Sequence, residues 1–134
     1  MAADLSAIEA LFNTYISDFN ARNLDGISKA LHPDVAVFIL PATDPKATGR
    51  ATILPSYSKD FALGKKVYIA GGAKVRQKTD DSGGAVVEVT LRSEEPAKDG
   101  GAEPQVVTID VEYHYDGNLL QVRHDISNIR VGVA

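Results

Sequence analysis

The chain has 134 residues, 44% of them hydrophobic and 24% charged, which is enough to bury the core of one domain spanning residues 1–134. Its net charge of −4 and lack of a basic cluster argue against nucleic-acid binding through phosphate contacts. The absence of cysteine excludes disulfides, thiolate catalysis and cysteine-ligated zinc. The N-terminus has neither a basic segment nor a long apolar run, which predicts a cytoplasmic protein without a signal peptide or membrane span.

The first element is an amphipathic helix. Apolar residues recur at helical spacing and predict a helix from about Ser6 to Ala21, with Tyr15 on its inner face. Two caps compete for its start: Asp4, or a capping box formed by Ser6 and Glu9.

Two more helices are predicted before the chain changes character. Asn23 can cap a short second helix, which ends before Pro33 because proline disfavours helical geometry in the preceding residue. Residues 35–40 form an apolar run of strand length, and residues 42–49 read as a loop. The stretch 50–64 predicts a third helix, which Pro55 should delay or kink.

After Gly64 the pattern becomes that of strands. The four strand-like segments are KVYIAGGAKVRQK, AVVEVTLRSE, VVTIDVEYHY and LLQVRHDISNIRV. They are separated by two loops rich in glycine and charge and by the turn signal Asp116-Gly117. Three helices followed by a meander of long strands predict an α+β fold, with the helices covering one face of a bent, mainly antiparallel sheet.

Strand alternation predicts which side chains face inward. The penultimate strand has a polar set, predicted on the outer face, although a bulge could turn Asp110 inward. That set is Thr108, Asp110, Glu112 and His114. The last strand has a mainly apolar set, predicted to face the interior and to place a histidine and an amide there. That set is Leu120, Val122, His124, Ile126 and Asn128, and it alternates with Gln121, Arg123, Asp125 and Ser127.

The element order, with YISDFNARNLDGI and ALHPDVAVFILP at its front, resembles the nuclear-transport-factor-2-like superfamily. Within that superfamily the chain is similar to SnoaL-like polyketide cyclases and to ketosteroid isomerases. The resemblance covers nearly the whole chain and implies a cone-shaped fold. It is poorly specific for function, because this fold hosts isomerases, dehydratases, epoxide hydrolases, cyclases and non-enzymatic binders.

The resemblance also implies roles for individual residues. Tyr15 stands where the isomerases place the tyrosine that donates to the substrate oxyanion, and Tyr57 stands where a second tyrosine supports the first. The isomerases' general-base aspartate is replaced by Leu40, and their second oxyanion donor falls near Val111, one residue from Asp110. The resemblance therefore implies half of an oxyanion hole without the general base. Ketosteroid isomerisation itself is not expected.

We predict His124, Tyr15, Tyr57 and Asp110 as catalytic residues, with His124 moving the proton and the tyrosines stabilising a developing oxyanion. The remaining pocket residues are predicted to bind the substrate. They are Phe19, Phe38, Leu40, Val111, Tyr113, Val122, Ile126 and Asn128. The three histidines are scattered over different elements, so neither a metal nor a cofactor is expected.

These residues favour a cofactor-independent acid/base enzyme, namely an isomerase, cyclase or dehydratase, acting on a small hydrophobic oxygenated molecule such as a polyketide or terpenoid. One alternative is a non-catalytic ligand-binding or dimerisation module, in which the tyrosines satisfy each other and His124 bonds a carbonyl. A second is an epoxide hydrolase, because the run Arg123-His124-Asp125 is similar to the Arg-x-Asp pair of limonene epoxide hydrolase.

A homodimer is expected through the outer face of the sheet. Polar side chains of the penultimate strand can pair there with Glu88, Thr90 and Arg92 of the neighbouring strand. A face that interleaves charges of both signs suits a self-complementary two-fold contact.

Overall fold

A computed structural model describes residues 4–78, 83–95 and 105–132 of the chain. Most of the predicted turn segment TDDSGG and most of the predicted loop from Glu94 to Pro104 lie outside these residues. The helices are α1 (Leu5–Asn20), α2 (Leu24–Ala30) and α3 (Arg50–Ala62). The strands are β1 (Leu31–Ile39), β2 (Ala47–Thr48), β3 (Lys66–Gln77), β4 (Ala85–Glu95), β5 (Gln105–Tyr115) and β6 (Gln121–Val131).

The helix starts show which capping signals the chain uses. The Asp4 side chain accepts a hydrogen bond from the backbone N–H of Ala7 at 3.1 Å, so α1 uses this cap and not the alternative capping box. Asn23 caps α2 as predicted, because its side chain accepts from the backbone N–H of Gly26 at 3.2 Å. The third helix begins at Arg50 and includes Pro55 in its interior, so the proline does not delay its start.

The six strands form one sheet in the order β2-β1-β6-β5-β4-β3. All neighbours are antiparallel except β1 and β6, which run parallel, so the prediction of a mainly antiparallel sheet is confirmed. The parallel pairing sets Val37 of β1 opposite His124 of β6. The prediction that 42–49 is wholly a loop is wrong, because Ala47 and Thr48 form a short strand against β1.

The helices cover one face of the sheet, as predicted. The buried residues of α1 share one helical face, which lies against β3 and β4. They are Ile8, Phe12, Tyr15, Ile16 and Phe19. The core they build continues into the inward side chains of the sheet, among them Leu91, Val111 and Tyr113. Within the described ranges, no helix is both long and apolar enough to cross a membrane.

Two register shifts between β5 and β6 overturn the alternation predicted for β6. In the first, Val122 is an extra residue between two pairs of the ladder, so Gln121 pairs with Tyr115 and is fully buried. A bulge reverses the alternation of the residues beyond it. Gln121 therefore faces inward, where alternation predicts it outside, and Val122 occupies the bulge.

The second shift lies near Asn128, whose φ of 49° departs from strand geometry. Its side chain donates to Oδ2 of Asp110 at 2.8 Å. Asn128 is thus bound to the outer face, and the prediction that it faces the cavity is wrong.

The outermost strand β3 is fastened to α1 by one side chain. Asn20 donates to the backbone carbonyl of Val67 at 2.8 Å, and its amide oxygen accepts from the backbone N–H of Val67 at 2.8 Å. The amide thus occupies both hydrogen-bonding groups of one residue on a strand at the sheet's edge.

We expect Asn20→Ala to lower the free energy of unfolding by about 1–3 kcal/mol, because it removes two partly buried hydrogen bonds. Urea denaturation measures the change. Asn13→Ala, at an exposed position of the same helix, is the control and should be close to neutral. Equal effects of the two substitutions would show that the Asn20 contact does not stabilise the fold.

Candidate functional site

A cavity of about 690 Å³ lies between the helices and the inward face of the sheet. Its walls are mainly apolar and come from α1, α3 and all six strands. Apolar residues of the wall include Phe19, Ile53, Val67, Leu91, Ile109 and Ile126. Four polar side chains line the same cavity and are themselves almost fully buried: Tyr15, Tyr57, Tyr113 and His124.

Tyr15 and Tyr57 meet inside this cavity. Their hydroxyl oxygens are 2.6 Å apart, which joins α1 to α3 by a hydrogen bond. Burial raises the pKa of Tyr15 well above its usual value and that of Tyr57 to about 12. Both phenols therefore stay protonated near neutral pH and can donate a hydrogen bond.

Tyr113 stands between the tyrosine pair and the histidine. Its ring centroid lies 5.6 Å from that of Tyr15 and 4.6 Å from that of His124, both in tilted, edge-on arrangements. Burial raises the pKa of Tyr113 as well. A third protonated phenol thus lies next to both the Tyr15–Tyr57 pair and His124.

His124 is held by a buried chain of hydrogen bonds that begins on β5. Gln121 Nε2 donates to the Tyr115 hydroxyl at 2.9 Å, and Gln121 Oε1 lies 2.7 Å from His124 Nε2. Because an amide oxygen only accepts, this orientation puts the imidazole proton on Nε2 and leaves the lone pair on Nδ1. Within the described residues Nδ1 has no hydrogen-bond partner, so it can accept one from a molecule in the cavity.

Sequence reasoning did not find Gln121. Alternation along the last strand assigns it to the outer face, and nothing in the local sequence marks the bulge at Val122 that turns it inward.

Burial also sets the charge of the histidine. It lowers the pKa of His124 to about 3, with the positive charge of His114 acting in the same direction and Asp125 opposing both. His124 is therefore a neutral imidazole at physiological pH, both hydrogen-bond donor and acceptor.

Six of the predicted site residues line the cavity: Tyr15, Phe19, Tyr57, Tyr113, His124 and Ile126. The other predicted binding residues do not. Phe38 lies on the outer face, where the Arg123 guanidinium sits 3.9 Å from its ring centre. Leu40 is exposed beyond the end of β1, and Val111 is packed in the core without reaching the cavity.

Asp110 also lies on the outer face, so the prediction that it is catalytic in the cavity is wrong. Its carboxylate accepts from Thr90 Oγ1 at 2.7 Å and from Asn128 Nδ2 at 2.8 Å, and Arg130 lies beside it. These donors lower the pKa of Asp110 to about 2. It is an ionised anchor of the outer surface, which is the position strand alternation predicts.

The Arg123 and Asp125 pair faces away from the cavity too. Arg123 Nε lies 2.6 Å from one Asp125 oxygen, and His114 Nε2 lies 3.2 Å from the other. Asp125, His114 and Glu112 are close enough together to hold a metal ion, but arginines already contact both carboxylates: Arg123 the first, and Arg76 that of Glu112 at 3.6 Å. The pair that suggested an epoxide hydrolase therefore belongs to an outer ion-pair network.

The lowered pKa of His124 makes a prediction about acid stability. An unfolded chain binds a proton on this histidine below about pH 6.5, whereas the folded chain resists protonation down to about pH 3. Protonation of this histidine therefore does not favour unfolding above pH 6.5. Below pH 6.5 it lowers the free energy of unfolding progressively as the pH falls towards 3.

We expect His124→Gln to flatten the decline in unfolding free energy between pH 7 and 4, by up to roughly 1.4 kcal/mol per pH unit. Urea denaturation at a series of pH values gives the profiles. His32→Gln removes a histidine outside the cavity and is the control for the loss of an imidazole elsewhere in the chain. Parallel profiles for the wild type and His124→Gln would contradict the neutral buried imidazole.

Comparison with known proteins gives matches at the level of structure alone. Neither models of protein families nor curated protein sequences match the chain. Among solved structures, the epoxide hydrolase/cyclase-like enzyme SalBIII of pyran ring formation in the polyether salinomycin superposes with a TM-score of 0.76 at 13% identity, over 98% of each chain.

Two further structures superpose over most of their length. A ketosteroid isomerase-like protein from Erwinia carotovora atroseptica gives a TM-score of 0.63 at 18% identity, over 92% of this chain and 95% of that one. A candidate polyketide cyclase from Pseudomonas putida gives 0.62 at 22% identity, over 89% of each chain. The curled, mostly antiparallel sheet with three helices on one face thus has the nuclear-transport-factor-2-like fold that the sequence predicts.

Proposed function

We propose that the cavity is the active site of a cofactor-independent acid/base enzyme, an isomerase, cyclase or dehydratase acting on a small hydrophobic oxygenated molecule. The observation that carries this proposal is that protonated phenols and a neutral imidazole line the same mainly apolar cavity. Apolar walls bind the body of such a molecule, and a few converging polar groups orient its oxygens.

The tyrosine pair supplies the electrophilic side of the mechanism. When Tyr57 donates to Tyr15, the proton of Tyr15 can be donated to a carbonyl oxygen of the substrate in place of the neighbouring Tyr113 hydroxyl. As negative charge develops on that oxygen, a donor already placed in a poorly solvated site stabilises it without reorganising.

His124 supplies the proton acceptor through Nδ1. A base of low pKa can remove a proton next to a carbonyl when the resulting enolate is strongly stabilised, so a pKa of about 3 is compatible with this role. Gln121 acts as a positioning residue, because its amide oxygen keeps the proton on Nε2 and presents the lone pair of Nδ1.

The structural neighbours support the same chemical class. One is described as an epoxide hydrolase/cyclase-like enzyme, one as ketosteroid isomerase-like and one as a candidate polyketide cyclase. At 22% identity or less they support the class of chemistry and not a substrate.

A non-catalytic ligand-binding module is the second candidate. It is favoured by the weak basicity of His124, which makes no hydrogen bond to a carboxylate among the described residues. For an epoxide hydrolase we find no comparable support in the cavity, since Arg123 and Asp125 lie on the other face of the sheet.

The two candidates differ in what His124→Gln does. A panel of unsaturated ketones and polyketide-like diketones, followed by ultraviolet absorbance, would first identify a turned-over compound. We then expect His124→Gln to lower kcat by ~10²–10⁴-fold and Tyr15→Phe by ~10²–10³-fold, with the ligand still bound.

Tyr68→Phe is the matched control, because Tyr68 is exposed and does not line the cavity. If His124→Gln lowers the melting temperature but leaves turnover intact, the histidine is structural and the assignment of the base fails.

We also propose a homodimer through the outer face of β4 and β5, and a cytoplasmic location. Polar side chains of this face are paired within one chain, for example Thr90 of β4 with Asp110 of β5, and Glu88 of β4 with the exposed Arg76 of the neighbouring strand β3. Such a face can meet its two-fold copy without leaving unpaired charges. We expect light scattering at micromolar concentration to give the mass of a dimer, and a monomeric mass would contradict the proposal.

A further inference from the structure

Three charged side chains line the cavity that is otherwise apolar or uncharged: Lys46, Asp60 and Lys65. Lys65 Nζ lies 3.1 Å from Asp60 Oδ1, so these two charges compensate each other. Lys46 forms no ion pair within the described part of the chain, although Asp44 is only two residues away. Two lysines against one aspartate leave the cavity with one uncompensated positive charge, on a chain whose net charge is −4.

The backbone of Lys46 is fixed relative to the catalytic histidine. Its N–H donates to the carbonyl of Val37 at 2.7 Å, and the next residue, Ala47, pairs with the same Val37 across the sheet. Val37 in turn pairs with His124. Neighbouring strands are ~4.8 Å apart, so Ala47 and His124 are separated by two such steps, or ~10 Å.

The cavity therefore differs in character between its two ends. The polar groups around Tyr15 and His124 are protonated phenols and a neutral imidazole, and a bare anion buried there would lose its hydration without gaining an uncompensated positive charge, because Lys65 is already paired with Asp60. At the other end Lys46 is exposed, so an anionic group beside it would keep part of its water while gaining an attractive charge.

We infer that the substrate is an amphipathic carboxylate, with its reacting carbonyl or hydroxyl group beside Tyr15 and His124 and its carboxylate beside Lys46. This inference rests on the proposed function, since it assigns a substrate class to the same cavity. Because the backbones of Ala47 and His124 are two strands apart, the carboxylate and the reacting group lie at separate places in the cavity, and the apolar walls take up the chain or ring between them.

The contribution of Lys46 is modest and dependent on salt. An exposed ion pair changes affinity by up to about fivefold at low ionic strength, and added salt screens it. The preference should therefore appear as a difference between an acid and its neutral analogue, measured at low salt.

The test compares a series of phenylalkanoic acids of increasing length with their primary amides, by isothermal titration calorimetry at low and high salt. We expect the wild type to bind the acid of best length several-fold more tightly than its amide at low salt only. Lys46→Gln should remove this difference and Lys46→Glu should reverse it. Lys59→Gln makes the same change in net charge at an exposed site outside the cavity, and it should keep the wild-type preference.

Retention of the acid preference in Lys46→Gln, or its absence in the wild type, would overturn the inference. Ile53→Trp, which fills the cavity, separates this failure from failure of the proposed function. If acid and amide bind the wild type equally and Ile53→Trp weakens both, the cavity is a ligand site and only the anionic substrate class is wrong. If neither probe binds the wild type at all, the inference and the proposed ligand site fail together.

Discussion

The cavity depends on one constraint: a polar group buried in an apolar interior must find a hydrogen-bond partner, since leaving it unpaired costs about 1–3 kcal/mol. The phenols of Tyr15 and Tyr57 meet this requirement in each other. The His124 imidazole is hydrogen-bonded to the Gln121 side chain, which is itself hydrogen-bonded to the Tyr115 hydroxyl. Because two of these bonds join different elements, α1 to α3 and β6 to β5, the requirement that stabilises the polar groups also fixes their positions relative to one another.

The topology of the sheet brings these links together. Pairing of β1 with β6 in parallel sets Val37 beside His124, and pairing of β1 with β2 brings Ala47 and the exposed Lys46 to the wall of the same cavity. The bulge at Val122 turns the Gln121 side chain inward, towards His124. Without it, Gln121 would point outward and the imidazole of His124 would have to satisfy Nε2 in some other way.

The elements of the fold could be predicted because apolar residues recur with the helical period in the helices and with a period of two in the strands. Tyr15 and Tyr57 fall on inward helical faces, and the placement of His124 on an inward strand face follows from counting by two. Counting by two fails at a bulge, and no characteristic residue type marks the bulge in this sequence. For this reason strand alternation puts Gln121 on the wrong face and Asn128 in the cavity, although both lie on a correctly predicted strand.

Strand alternation also limits the chemistry that this cavity can perform. His124 faces inward as a neutral imidazole, while its neighbours Arg123 and Asp125 form an ion pair on the outer face. The same pattern separates Tyr113 from His114 on β5. Ionised side chains thus lie where water and counter-charges can reach them, and neutral donors and acceptors line the interior. A reaction in such an interior must start from neutral groups and form its charges only briefly, next to a donor that is already in place. Enolisation and the ring closures or eliminations that follow from it have this property. A hydrolysis that relies on a permanently ionised carboxylate beside the substrate would instead need such a group at the inner end, where the phenols and the imidazole lie.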